Sequence, residues 1–244
     1  MVLQDGARDW FPARGDGIRQ GYLGRLGQWM SDTEEISALE LAALLCSRVC
    51  HDVISPVGAI TNGLEVLADD DDAEMKVHAM DLITKSAAQA SAKLQFARLA
   101  FGAAGAVGAQ LDLGDAKAVA EGLMKSEKAS LVWEAPHATI GKDFVKLTLN
   151  MLLIGIAAIP RGGDIALTIE GDMAGPSIRV RSRGQAARVP DETAAFLNGR
   201  SAERPLDARA AQPYFTGLVA RSLGHAIAAR MDEGEFVIEA LPAT

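Results

Sequence analysis

The side chains able to do chemistry cluster on one short stretch, Cys50-His51-Asp52-Val53-Ile54-Ser55-Pro56, and on residues a turn or two either side of it. Placed on a helix at about 100° per residue, His51 stands at about 160° from the apolar line of the same segment, Asn62 at about 180°, Ser55 at about 200° and Arg48 at about 220°. Arg48, His51, Ser55, Gly58 and Asn62 therefore form one polar ridge. An imidazole, with an ordinary pKa of about 6.5, is substantially neutral and nucleophilic at cell pH. Gly58 costs about 1 kcal/mol in a helix interior relative to Ala, which clearance for a large docking partner would explain. Pro56 is costly too and predicts a kink one turn beyond the histidine. A surface helical histidine is by itself usually inert; the acidic neighbour, the proline and the ridge weaken that reading without overturning it.

The element that must carry the ridge is a long helix. Ala42, Cys46, Val49, Val53, Val57, Ile60, Leu64 and Leu67 fall on one line, and Leu45, Cys50 and Ile54 widen it, so a helix is predicted over residues 35–67. A polar turn at Asp69–Asp72 leads to a second helix over 74–99, with Val77, Met80, Ile83, Ala87, Ala90, Leu94 and Ala97 at helical spacing. Such a hairpin cannot bury both faces alone, so pairing of two copies into a four-helix bundle predicts a homodimer. Cys46 belongs to the line expected to be buried and His51 points away from it, so the pair is no metal site. His78, His137 and His225 lack partners at ligand spacing and read as structural.

Residues 101–114 (FGAAGAVGAQLDLG) read as a glycine-rich linker. Beyond it, helices are predicted at 115–126, 142–159, 190–197 and 212–230, and strands at 164–170, 177–182 and 235–241. The fold class is α+β: an N-terminal helical hairpin, then a C-terminal α/β sandwich. The division is a flexible leader over 1–33, the hairpin over 34–103 and the second domain over 111–244. Formal net charge is −8 with only two cysteines, which argues against non-specific nucleic-acid binding and against a disulfide scaffold. Neither a secretory signal nor an apolar run of about 20 residues is visible, so no membrane span and a cytoplasmic location are expected. Glycine is abundant (24 residues) while only 5% of the chain is aromatic, as suits closely packed small-residue helices.

The 50–56 stretch resembles the phosphoacceptor box of sensor histidine kinases: His, an acidic residue, two intervening positions, Ser, then Pro. The hairpin is similar to their dimerisation and phosphotransfer domain. The likeness continues into a region resembling their ATP-binding domain. Leu-Thr-Leu-Asn-Met-Leu-Leu-Ile-Gly at 147–155 falls at the Asn-rich helix, 177–190 at the Asp-x-Gly-x-Gly box, and the ending Glu-Phe-Val-Ile-Glu-Ala-Leu-Pro at the last strand. The departures carry the functional reading. Asn150 is kept, but Ile154 stands where the family has a metal-coordinating Asn. Ser182 replaces the adenine-holding Asp, Gly184 remains with Ala186 in the second glycine position, and the later glycine-rich loop shrinks to Thr216-Gly217-Leu218. Phosphate binding by such a lid needs glycines and oxygen ligands for Mg²⁺, so no productive ATP binding and no bound cofactor are expected.

An acceptor histidine joined to a degenerate kinase domain resembles the dimeric histidine phosphotransferases of bacterial phosphorelays. That resemblance implies His51 as phosphoryl carrier with Asp52 assisting, and Arg48, Ser55 and Asn62 at the phosphoryl group or the partner. It also implies as partners the receiver domain of a hybrid histidine kinase (CckA-like) and response regulators (CtrA-like and CpdR-like), with Mg²⁺ supplied at the receiver. Receivers are commonly acidic, so overall charge gives this chain little steering towards them. The alternatives are an ATP-dependent sensor histidine kinase and a non-catalytic receiver-binding module.

Overall fold

The computed structural model describes residues 36–69, 72–102, 108–199 and 206–243. The expected leader over 1–33 lies outside them, as do residues 70–71 of the acidic turn and 103–107 of the linker.

Helix α1 spans Ala38–Asp69. Ser37 opens it with a capping box: its hydroxyl accepts from the Glu40 amide at 3.2 Å, while Glu40 Oε2 accepts from the Ser37 amide at 3.1 Å. The Ser37 hydroxyl also donates to Glu40 Oε2 at 2.6 Å, and this bond together with the one from the Ser37 amide holds the Glu40 carboxyl below its ordinary value. Pro56 lies inside this helix, which is assigned without interruption on both sides of it. Helix α2, Ala73–Ala100, begins where Asp72 accepts from the Glu74 amide at 2.9 Å.

The two helices meet through small residues. Gly63 is buried where a Cβ would come within 2.6 Å of Ile83 Cγ1, and Ala79, Ser86, Ala90 and Ala100 line the facing side of α2. That seam explains the alanines of the hairpin and Gly63: the backbones approach closely only because there is little side chain between them.

The apolar line expected inside the hairpin is only half covered by it. Val49, Val53, Ile60 and Leu67 are partly buried, whereas Ala42, Cys46, Val57 and Leu64 are exposed. Both cysteines are free and exposed, so Cys46 is not a core residue of the chain. The cause is angular. Helix α2 sits against the side marked by Leu45, Pro56 and Gly63, about a quarter-turn from the predicted line. Helix α2 likewise leaves Val77, Met80 and Leu94 exposed. Among the described residues α1 alone is long and apolar enough to cross a membrane. Its apolar residues form a stripe opposite a polar ridge instead of surrounding it, which is the pattern of a bundle helix.

The second domain begins with β1 (Gln110–Asp112) and α3 (Leu113–Met124), followed by β2 (Ala129–Glu134), β3 (Thr139–Gly141) and α4 (Lys142–Ala158). It continues with β4 (Gly163–Glu170), β5 (Ser177–Arg183), α5 (Thr193–Leu197), α6 (Ala211–Ser222), β6 (His225–Asp232) and β7 (Glu235–Pro242). Five strands form a sheet in the order β2-β4-β5-β7-β6; β2 and β4 are parallel and the rest antiparallel, while β1 pairs separately with β3. Inward residues of β4, β5 and β7 (Ile165, Leu167, Val180, Phe236 and Ile238) are buried beneath the helices. Helix α4 is apolar nearly all round, with Phe144, Leu147, Leu149, Met151, Leu152 and Ile154 buried, because it lies between the sheet, α6 and the end of the hairpin. On the outer face Arg179, Arg181, Arg183 and Arg230 clamp Glu235 and Glu239 across strands.

The predicted α+β class and its hairpin-then-sandwich order hold. The predicted helix over 212–230 is two elements. Gly224 adopts φ +68, its amide returns to the Arg221 carbonyl at 3.0 Å, and the chain leaves α6 to become β6. The strands also include β2, an edge strand of alternating half-buried residues, and the three-residue β1 and β3, none of them among the predicted elements.

Candidate functional site

The ridge divides in the folded chain. His51, Ser55 and Asn62 stand exposed, with the His51 side chain 77% accessible. Gly58 has open space around it, so nothing in the chain crowds the surface beyond the histidine. Arg48 turns inward instead: its Nε donates to Asp52 Oδ2 at 3.0 Å from one helical turn back, and its side chain is mostly covered. The other carboxylate oxygen of Asp52 lies 3.5 Å from His51 Nδ1. That is a long contact, an electrostatic guide more than a strong hydrogen bond. Asp52 thus touches Arg48 with one oxygen and faces the imidazole with the other. Nδ1 is turned to the carboxylate, and Nε2 is the nitrogen left for an incoming group.

Sequence reasoning missed one member of this cluster. Lys93, on α2, donates from Nζ to the main-chain carbonyl of Asp52 at 3.0 Å. A signal existed, because Pro56 is four residues after Asp52 and has no N–H to give that carbonyl. Arg48, Asp52, Lys93 and Glu127 are the charged residues lining a cavity of about 270 Å³ between the hairpin and the second domain, with Phe96, Phe101, Leu123, Leu153 and Ile156 among its apolar lining.

The positions matched to the ATP-binding boxes are filled by packing. Asn150 is fully buried; its Nδ2 donates to the Ala100 carbonyl at 2.7 Å and to the Lys146 carbonyl at 2.9 Å, and its Oδ1 accepts from Gln212 Nε2 at 3.2 Å. Ile154 is buried. Ser182 is buried with its Oγ unpartnered, against Gly155, where a Cβ would lie 2.9 Å from that oxygen. A side chain at Gly217 would overlap the Leu197 carbonyl, and Thr216 donates back to the Gln212 carbonyl at 2.8 Å. Among the described residues, no three His, Cys, Asp or Glu side chains stand together as a metal site. His78 and His137 are exposed, while His225 is buried with its ring nitrogens against the carbonyls of Pro176 and Leu223 and its edge on Phe144.

A helical hairpin presenting a histidine beside a carboxylate, followed by an α/β sandwich, is the arrangement of a phosphotransfer protein of the two-component type. The chain belongs to the histidine phosphotransferase family. The model of the histidine phosphotransferase C-terminal domain matches residues 113–235. Protein phosphotransferase ChpT of Brucella abortus (strain 2308) is 47% identical over 215 residues, covering 86% of this chain and 100% of that one. A solved structure described as a bacterial phosphotransferase at 1.7 Å superposes with a TM-score of 0.78 at 46% identity, over 86% of this chain and all of the other. The histidine kinase AdeS of Acinetobacter baumannii aligns at 7% identity and a TM-score of 0.41, over 80% of this chain and 98% of that one. The activity is therefore phosphotransfer within a phosphorelay, with receiver or response-regulator proteins as partners, and neither the kinase nor the non-catalytic alternative is favoured.

Proposed function

We propose that His51 is the phosphoryl carrier, that Asp52 and Arg48 set its ring, and that the chain works as a homodimer between CckA-like and CtrA-like or CpdR-like receivers in the cytoplasm. The observation that carries this reading is the pairing of an exposed imidazole with a carboxylate at its Nδ1 side, on a ridge left open by Gly58. In the transfer, the Nε2 lone pair attacks the phosphorus of the receiver's aspartyl phosphate. The P–O bond breaks, its electron pair returns to the receiver carboxylate, and an N–P bond forms. The ring then holds a proton on Nδ1 and a positive charge, which the Asp52 carboxylate stabilises before the proton is released or the phosphoryl group moves on. The reverse sequence delivers the group to a second receiver. Receivers supply Mg²⁺ and the reacting Asp; this chain supplies the nucleophile, its orientation and a docking surface, with Ser55 and Asn62 on the exposed side of the ridge.

ATP plays no part in this cycle. Asn150, the surviving box residue, has both side-chain N–H groups and its oxygen engaged in hydrogen bonds with protein, and Ile154 and Ser182 offer neither the amide nor the carboxylate of the kinase boxes. Dimerisation has its support in the exposed stripe of Leu39, Cys46, Cys50, Val57 and Leu64 on α1. Incubation with a labelled phosphoreceiver tests the whole reading. Acid-labile label should appear on the chain, vanish in His51→Ala and fail to appear with labelled ATP alone. Label that persists in His51→Ala would sink the carrier assignment.

A further inference from the structure

We propose that Lys93 is a positioning residue for the transfer: its ammonium replaces the backbone donor that Pro56 withholds from Asp52, and so fixes the peptide carrying His51 and Asp52. This rests on the reading of His51 as carrier and adds a residue from the other helix of the hairpin.

In an α-helix the carbonyl of residue i accepts from the N–H of residue i+4. For Asp52 that residue is Pro56, which has no N–H and whose ring crowds the same carbonyl. Pro56 is itself buried and Asp52 half-buried, so the hairpin restricts water at this point. Lys93 reaches across from α2, 41 residues on in sequence, and donates to the Asp52 oxygen at 3.0 Å. A cation on a carbonyl is a charge-assisted bond, stronger than the amide bond it replaces.

The consequence for the site lies in how Asp52 is held. Lys93 grips its main chain, Arg48 grips one carboxylate oxygen at 3.0 Å, and the other oxygen is left to face His51 Nδ1. With its main chain and one oxygen pinned, Asp52 has little freedom, and the imidazole is presented at a set angle to an in-line phosphoryl donor. Lys93 is directed at the backbone and acts through Asp52, not on the phosphoryl group. The bland reading is that Lys93 only seals the cavity rim; it predicts a cost indifferent to what occupies position 56.

A double-mutant cycle separates the two. Single-turnover transfer from a phosphorylated receiver is measured over a range of receiver concentrations in the wild type, Lys93→Met, Pro56→Ala and the double variant. Lys93→Met should lower the maximal rate about tenfold while leaving the receiver concentration for half-maximal rate within about twofold, as expected when a reacting group is misplaced. Lys93→Arg should keep most of the rate. In the Pro56→Ala background the alanine restores the missing N–H, so Lys93→Met should there cost no more than about twofold. Equal losses in both backgrounds, or no loss in the wild-type background, would overturn the proposal. Should Lys93→Met not fold, Lys93→Gln is read in the same two backgrounds by the same criterion. Failure of the carrier assignment is distinguishable, because it shows as label surviving His51→Ala.

Discussion

The side-chain amide of Asn150 donates to the carbonyl of Ala100 at 2.7 Å, fastening α4 to the last residue of the hairpin helix α2. Where the kinase resemblance assigns this position to nucleotide binding, here it joins two parts of the fold, and Gln212 completes the network from α6.

Asn150→Ala leaves the Ala100 carbonyl short of a partner in a buried setting, while Gln212 Nε2 keeps the main-chain carbonyl of residue 150 at 2.8 Å and Thr216 Oγ1 at 3.2 Å. The expected loss of stability is about 1–3 kcal/mol, the cost of one orphaned buried polar group. Thermal or denaturant unfolding checks it. An unchanged midpoint would show that the amide contributes nothing to the joint.

Asp52→Asn keeps the shape of the side chain but removes the charge facing His51 Nδ1. Phosphotransfer should slow by about a hundredfold, the lower range for loss of a general acid–base partner, with the histidine still able to be labelled slowly. The fold should persist, because the ion pair with Arg48 is half-exposed and worth about 1 kcal/mol or less. A rate within about twofold of the wild type would remove Asp52 from the reaction.

What the sequence could convey about this site follows from which contacts are local. The ridge and the histidine were legible because a single helix sets their angles. The burial of the apolar line is not, since periodicity marks a stripe without saying whether the hairpin mate or a second chain covers it; Cys46 is exposed in the single chain for that reason. Arg48 was assigned outward by angle, yet its long side chain folds back to Asp52 one turn away. Lys93 was invisible because its partner is 41 residues distant, although Pro56 already marked the Asp52 carbonyl as needing an outside donor. In the second domain β6 was lost inside a predicted helix because His-Ala-Ile-Ala-Ala-Arg has helix-compatible residues, and the break depends on the backbone angle of one glycine.

Val57 and Leu64 are 46% and 54% exposed on the stripe opposite the ridge. If a second copy covers that stripe, Val57→Glu combined with Leu64→Glu should convert the chain from dimer to monomer in light scattering, because two carboxylates cannot be buried at a bundle seam without partners. Helical content should fall as well, since a lone hairpin exposes its uncovered face. A double variant with unchanged mass would place the dimer interface elsewhere.

Glu239 sits between Arg230 at 2.5 Å and Arg179 at 2.6 Å. Burial alone would raise its carboxyl, but the two guanidinium hydrogen bonds prevail and hold it below the ordinary 4.5. A carboxyl lowered in the folded state contributes stability above its unfolded value and loses it as pH falls through the lowered folded one. Stability should therefore drop on acidification below about pH 4.5. Glu239→Gln should reduce that dependence while costing about 1–3 kcal/mol at neutral pH. An acid limb as steep in the variant as in the wild type would contradict this.

Replacing the missing ATP ligands should not restore a nucleotide site. Ser182 lies with an unpartnered Oγ against Gly155, and Ile154 is packed in the core, so neither position opens on a space that ATP could enter. Ser182→Ala should be neutral or stabilise by up to about 1 kcal/mol, because it removes a buried hydroxyl that makes no bond. Ser182→Asp with Ile154→Asn places a carboxylate and an amide in the same tight layer and should destabilise by about 3 kcal/mol or more. Calorimetric titration of that double variant with Mg²⁺ and ATP should still show no binding. Gly217 must stay bare for α6 to lie on the Leu197 carbonyl, so opening the site requires moving a helix, which two substitutions do not achieve. Saturable ATP binding in the double variant would mean the site was only unliganded and not closed, and would return the kinase reading to consideration.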